Sequence, residues 1–242
     1  MLSLTPTVKP AILCRIMKIG IFGGTFDPIH QGHLAIAEEV RKALDLDRVI
    51  LIPANRPPHK TGRKILPAKH RLAMVHLAVQ GHPDLGVSDL EIKRRGKSYT
   101  VETVKALEKR YPETTEFYLI LGLDAFLEFS SWRSPAALRS RCHIVVVSRP
   151  GFRFADLSRL AFLSGMDPRP LKELDEGRRS RHEHPLSPLT RLILLRVTAH
   201  DVSATGIRAH VFGGRRVKNL LPPLVESYII DHNLYSRTDP SS

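Results

Sequence analysis

From Ile19 the chain runs Ile-Gly-Ile-Phe, then Gly23-Gly24-Thr25-Phe26-Asp27-Pro28-Ile29-His30-Gln31-Gly32-His33, and continues as an amphipathic stretch to Leu44. A short apolar run closed by glycines reads as a buried strand, and the stretch after Gly32 has helical spacing. The chain must then pass from strand to helix through a tight loop, as parallel α/β sheets do. The loop sets the imidazoles of His30 and His33 beside the helix N-terminus. Backbone N–H groups and the helix dipole favour an anion there. Imidazoles at that point can donate hydrogen bonds to phosphate oxygens. A phosphate site is therefore expected before residue 40.

The alternation continues. Residues 18–22, 48–52, 117–121, 144–148 and 192–197 read as strands, and 85–92 as an extended strand. Residues 32–44, 67–79, 100–110, 124–129, 203–212 and 222–232 read as helices. This rhythm predicts an α/β fold, a doubly wound parallel sheet, with right-handed crossovers and ligands beyond the carboxyl ends of the strands. One domain is expected over 17–236, with 1–16 as a disordered extension and 237–242 as a tail. Residues 151–188, rich in proline and charge, read as a helix around 156–163 followed by an irregular polar insert.

Bulk properties exclude several classes. No apolar run approaches the ~18 residues of a membrane span. The N-terminus is broken by Pro6 and Pro10 and lacks a signal peptide's apolar core. Two cysteines, Cys14 and Cys142, give neither a disulfide framework nor metal-site spacing, which suits a reducing cytoplasm. The net charge of +13 raises nucleic-acid binding. Against it, no basic stripe is interleaved with aromatics, and the densest cluster (Arg178, Arg179, Arg181 and His182) reads as a solvated loop. Polyanionic small-molecule substrates account for the charge equally well.

Two rival readings of the glycine loop are weaker. His30 and His33 have ligand-like spacing, but a zinc helix needs a H-E-x-x-H pattern, which is absent. A dinucleotide site needs G-x-G-x-x-G and an acidic residue ending the second strand. Gly20, Gly23 and Gly24 have the wrong spacing, and the second strand ends Ile52-Pro53-Ala54-Asn55.

Three further segments carry chemistry. Pro57-Pro58-His59-Lys60 is a stiffened loop presenting a mobile cation. In Ser203-Ala204-Thr205-Gly206-Ile207-Arg208, Ser203 or Thr205 can cap a helix, with Arg208 about a turn inside. Trp132, the sole tryptophan, suits either core packing or a flat ring.

The loop resembles the TFDPxHxGH signature of the H-x-G-H nucleotidylyltransferase superfamily. Pro57–Lys60, Ser98-Tyr99-Thr100, Gly122 with Asp124, Trp132, Arg149-Pro150-Gly151 and the Ser203–Arg208 run resemble, in order, elements of nicotinate-nucleotide adenylyltransferases. The resemblance implies a Rossmann-like nucleotidylyltransferase fold and transfer of AMP from ATP to nicotinate mononucleotide, giving deamido-NAD and pyrophosphate. It implies catalytic roles for His30, His33 and Arg208. It places ATP on Gly23, Gly24, Thr25, Phe26, His30, His33, Gly122, Asp124, Ser203, Thr205 and Arg208, and the acceptor on Lys60, Thr100, Trp132 and Arg149. Mg2+ is expected mainly on the ATP phosphates, with no protein ligand named. Another acceptor, such as phosphopantetheine, and a non-catalytic nucleic-acid-binding protein are the alternatives. Arg133 has no assigned role, and the oligomeric state is open.

Overall fold

A computed structural model describes residues 15–56, 65–94 and 96–236. Pro57, Pro58, His59, Lys60 and Arg95 lie outside them, as do residues 1–14 and 237–242 of the expected extension and tail. Strand β1 (Lys18–Gly24) leads to helix α1 (Gln31–Ala43), and β2 (Arg48–Pro53) to α2 (Ala68–Ala78). Then come β3 (Leu85–Val87), a short α3 (Leu90–Lys93) and α4 (Thr100–Glu108). Strand β4 (Glu116–Gly122) runs straight into α5 (Leu123–Leu127), followed by α6 (Pro135–Arg141) and β5 (His143–Val147). The described elements close with α7 (Pro168–Asp175), β6 (Arg181–Pro185), β7 (Arg191–Leu195), α8 (Ala204–Phe212) and α9 (Pro223–Asp231).

The strands form one sheet of order β3-β2-β1-β4-β5-β7-β6. Every neighbouring pair is parallel except β6–β7, at one edge. Side chains alternate between two apolar layers, as the pleat requires. Phe22, Val49, Ile120, Val145 and Ile193 pack with α1, α2, α8 and α9. Ile21, Ile50, Leu119, Ile144 and Leu192 pack with α3 to α7. The chain leaves β1 for the first layer and its neighbour β4 for the second. That divergence opens a crevice beyond their carboxyl ends, where doubly wound sheets bind ligands.

Four local expectations are corrected. The extended strand at 85–92 stops at Val87, and the chain turns into α3. Ser88 Oγ accepts the Leu90 N–H at 3.4 Å, and the Leu90 side chain is needed in the second layer. Residues 156–163 form two 3₁₀ turns instead of an α-helix. Nor is 151–188 an irregular polar insert: it holds α7 and β6, and Leu157, Leu160, Leu163, Met166, Leu171 and Leu174 are buried in the second layer. The basic cluster is a loop only in its first half: Arg178 and Arg179 join α7 to β6, while Arg181 and His182 lie in β6. Arg178, Arg179 and Arg181 each pair with a glutamate (Glu176, Glu173 and Glu183), so much of the local charge is neutralised.

Candidate active site

The β1–α1 loop is shaped by its own aromatic residue. A Cβ on Gly24 would lie 2.8 Å from the Phe26 ring, so the loop folds back only with glycine there. Phe26 takes φ 47°, a left-handed conformation that disfavours an aromatic residue by about 1 kcal/mol or more. Its ring is 2% exposed and lies edge-on to Phe22 (5.9 Å) and His33 (5.1 Å). Phe26, expected on ATP, thus has its ring beneath the site as a floor for His33.

His30 is the N-cap of α1 and His33 its third residue. Their rings stack with centroids 3.7 Å apart. The His30 backbone N–H donates to His33 Nδ1 at 3.2 Å. An accepting Nδ1 puts the proton of neutral His33 on Nε2. His30 is 8% exposed. Burial first, then the charge of Arg149 and then His200, pulls its pKa down to about 4. At pH 7 in the free protein it is a neutral imidazole at a helix N-terminus, an end that favours anions. Between the two histidines in sequence, a Cβ on Gly32 would lie 2.8 Å from Val202 Cγ1 and 3.3 Å from His30 Nδ1. Glycine here lets the segment before α8 close against α1.

That closure delivers the second half of the corner. Ser203 caps α8, its Oγ accepting the Gly206 N–H at 3.1 Å. Arg208 Nη1 donates to the Asp27 carbonyl at 2.6 Å, and Nη2 to Thr205 Oγ1 at 2.8 Å. Asp27 is buried and accepts from the Tyr235 hydroxyl at 2.8 Å. Burial and the Asp27 charge hold the Tyr235 phenol far above its ordinary pKa, so it remains a donor.

Arg71 supports the corner from beneath and is only 1% exposed. Its Nε donates to Leu66 O (2.9 Å), Nη1 to Thr25 O (2.7 Å) and Nη2 to Asn55 O (3.1 Å). Three separate backbone segments are held by one guanidinium, with the Asp27 carboxylate as a charge partner.

A cleft of about 290 Å³ adjoins the corner, sharing Gly23, Gly24 and Thr25 with it. Thr100, Trp132, Arg133, Tyr99, Glu91 and Gly122 also line it. Trp132 packs on Phe129 with ring centroids 5.5 Å apart. Thr100 is the first residue of α4 instead of its cap; Tyr99 holds the cap position, and no side chain caps the helix. Glu91 is buried, and burial raises its carboxyl above its ordinary pKa; the hydroxyls of Thr103 and Ser98 and the charge of Arg94 oppose that shift.

The expected residues thus fall into two groups. His30, His33, Ser203, Thr205 and Arg208 meet Gly23–Phe26 at the corner, while Thr100 and Trp132 share the cleft. Arg149 stands between the two groups: its Nε is 3.4 Å from Asp124 Oδ2, its Cδ lies 3.5 Å from where a Cβ on Gly122 of the cleft would stand, and its charge acts on His30. Lys60 lies outside the described residues. Sequence reasoning missed Arg71, Asp27 and Tyr235 as supports. Only the motif position of Asp27 hinted at one of them.

The His30 environment has a consequence for stability. Its folded pKa is about 4, below the ~6.5 of an unfolded histidine. The unfolded chain binds more protons between those values, so stability rises with pH across that window and falls as pH drops from about 6.5 towards 4. The loss should reach no more than about 3 kcal/mol for this residue. A His30→Asn variant should show a flatter acid limb in a melting-temperature profile. An unchanged limb would mean that His143 and His182, whose pKa values burial also lowers, carry it.

The Cytidylyltransferase-like family profile matches residues 21–210. The chain belongs to that family, a class that the crevice and its imidazole corner suit. A relative from Thermoanaerobacter sp. (strain X514) is 40% identical over 228 residues, covering 93% of this chain and 97% of the relative. One from Desulfatibacillum aliphaticivorans is 43% identical over 223 residues, covering 90% and 100%. Both bear the name probable nicotinate-nucleotide adenylyltransferase. Within its class, the chain belongs to the nicotinate-nucleotide adenylyltransferase family. Plasmodium falciparum nicotinic acid mononucleotide adenylyltransferase, solved in complex with NaAD, superposes with a TM-score of 0.66 at 19% identity. That match covers 90% of this chain and 97% of the other, and shows the shared fold.

Proposed function

We propose that the protein joins ATP and nicotinate mononucleotide to give deamido-NAD and pyrophosphate. The observation that carries this reading is the meeting of two environments at Gly23-Gly24-Thr25. On one side lie stacked imidazoles, a helix N-terminus and Arg208; on the other, an apolar cleft holds an indole and an uncapped helix start. A triphosphate suits the first. An acceptor with a flat ring, a carboxylate and its own phosphate suits the second.

The chemistry is an in-line displacement. An acceptor phosphate oxygen attacks the α-phosphorus of ATP. The new P–O bond forms as the bond to the α–β bridging oxygen breaks, and that electron pair leaves with pyrophosphate. The attacking phosphate is already ionised near neutral pH, so neither a general base nor a protein nucleophile is required. The protein contributes positioning and charge stabilisation. His33, its proton on Nε2, and His30 donate to the reacting phosphates. Arg208, fixed by Asp27 and Thr205, stabilises the departing pyrophosphate. Asp124 belongs on the ATP side, Arg149 beside it faces the acceptor, and Lys60 would add phosphate charge. At the corner the Asp27 carboxylate is buried against the Tyr235 hydroxyl, and the side chains around it are imidazoles, hydroxyls and a guanidinium. Magnesium would therefore be held by triphosphate oxygens and water, where it neutralises charge. Cys142 is buried with its thiol pushed up to about 12, inert in the reducing cytoplasm proposed for the protein.

Pyrophosphate release with Mg-ATP should be fastest with nicotinate mononucleotide, slower with nicotinamide mononucleotide and absent with phosphopantetheine. Preference for phosphopantetheine would keep adenylyl transfer and discard the roles of Thr100 and Trp132. Silence with all three would overturn the reading. No helix among the described residues is long and apolar enough to cross a membrane.

A further inference from the structure

We propose that the Arg133 guanidinium reads the charge of the acceptor's ring substituent and sets the preference for a carboxylate over a carboxamide. The proposal rests on the acceptor reading above and assigns a specificity role to a residue outside the motifs.

The residues lining the cleft include two charged side chains, Glu91 and Arg133. Glu91 is already committed: Thr103 Oγ1 donates to it at 2.6 Å, and Arg94, which offsets its charge, donates to the same hydroxyl at 3.1 Å. Arg133 is different. It is exposed, and no carboxylate pairs with it among the described residues. Its Cζ lies 4.7 Å from the centroid of the Tyr99 ring, within cation–π range.

Tyr99 is the N-cap of the nine-residue α4 and gives the helix no side-chain cap. The positive end of the α4 dipole and the Arg133 cation therefore converge on one residue. Like signs brought together oppose each other, and an anion between them relieves the opposition. A carboxylate can accept from both the helix start and the guanidinium through two charged oxygens; a carboxamide brings no charge and only one accepting oxygen, with donors on its nitrogen. The preceding residue, Trp132, lines the same cleft, so the cation arrives beside the platform on which a flat ring would rest.

The test compares kcat/KM for nicotinate and nicotinamide mononucleotides in the wild-type chain, Arg133→Gln and Arg133→Lys. Arg133 is exposed, and melting curves check that each variant folds. In Arg133→Gln the preference for nicotinate mononucleotide should fall about tenfold or more through a raised KM, as loss of one charge-assisted contact predicts. The KM for ATP and the efficiency with nicotinamide mononucleotide should stay within about twofold, since neither uses the lost charge. Arg133→Lys should retain most of the preference. A ratio unchanged in Arg133→Gln would overturn the proposal and leave the acceptor reading standing. Wild-type protein that uses both acceptors equally would overturn it too, with adenylyl transfer intact. Wild-type protein that uses neither would overturn both.

Discussion

Changing His33 to asparagine should cut kcat by about 10²–10³-fold, the usual effect of removing one preorganised donor to a reacting oxyanion. The ring does two jobs that this substitution separates. Its Nδ1 accepts the His30 N–H at 3.2 Å, which helps to set the start of α1. Its Nε2 carries the proton that the proposed reaction uses. Asparagine can accept at the δ position but has no donor at ε. The fold should persist, less about 1 kcal/mol for the lost ring contacts with Phe26 and His30, or roughly 2–4 °C in Tm at this size. Glutamine has a donor at ε and should recover part of the turnover. Steady-state kinetics with calorimetry on the two variants decides the point. His33→Asn turning over within about threefold of wild type would remove His33 from charge stabilisation.

The first strand and helix are readable for a physical reason. At β1 and α1, local propensity, apolar period and glycine placement agree, and the observed bounds fall within two residues of those expected. The corner was readable because loop, cap and arginine lie within short runs around His30 and Ser203. Residues 151–188 were misread because proline and charge mask the apolar positions. Leu157, Leu160 and Leu163 recur every third residue, the 3₁₀ period, but each run is too short to stand out from loop. Strand β6 is a polar edge strand flanked by arginines, and edge strands carry little alternation signal. In α2 the sequence marks nothing special at residue 71, since arginine is common on exposed helix faces. Its burial follows only from where Thr25, Asn55 and Leu66 meet in three dimensions.

That meeting gives the second large effect. Arg71→Met should destabilise the fold by about 3–5 kcal/mol, the range for breaking a buried, hydrogen-bonded charge cluster. Methionine fills much of the volume, so little of the loss is cavity. It leaves the carbonyls of Thr25, Asn55 and Leu66 without their Arg71 donor and takes one charge partner from Asp27. Lysine keeps the charge, but one ammonium cannot reproduce the planar fork that spans three segments. Arg71→Lys should therefore recover only part of the stability. The two variants also separate support from bulk stability. Thr25 belongs to the glycine loop, and Asn55 and Leu66 stand before and after the segment containing Lys60, so a folded Arg71→Lys should show a raised KM for ATP. Denaturant midpoints for both variants and ATP kinetics for lysine make the measurement. A loss below about 1 kcal/mol in Arg71→Met would place Arg71 among ordinary surface arginines. A stable Arg71→Lys with unchanged ATP kinetics would show that charge alone suffices, and that the three-carbonyl geometry does not position the phosphate loop.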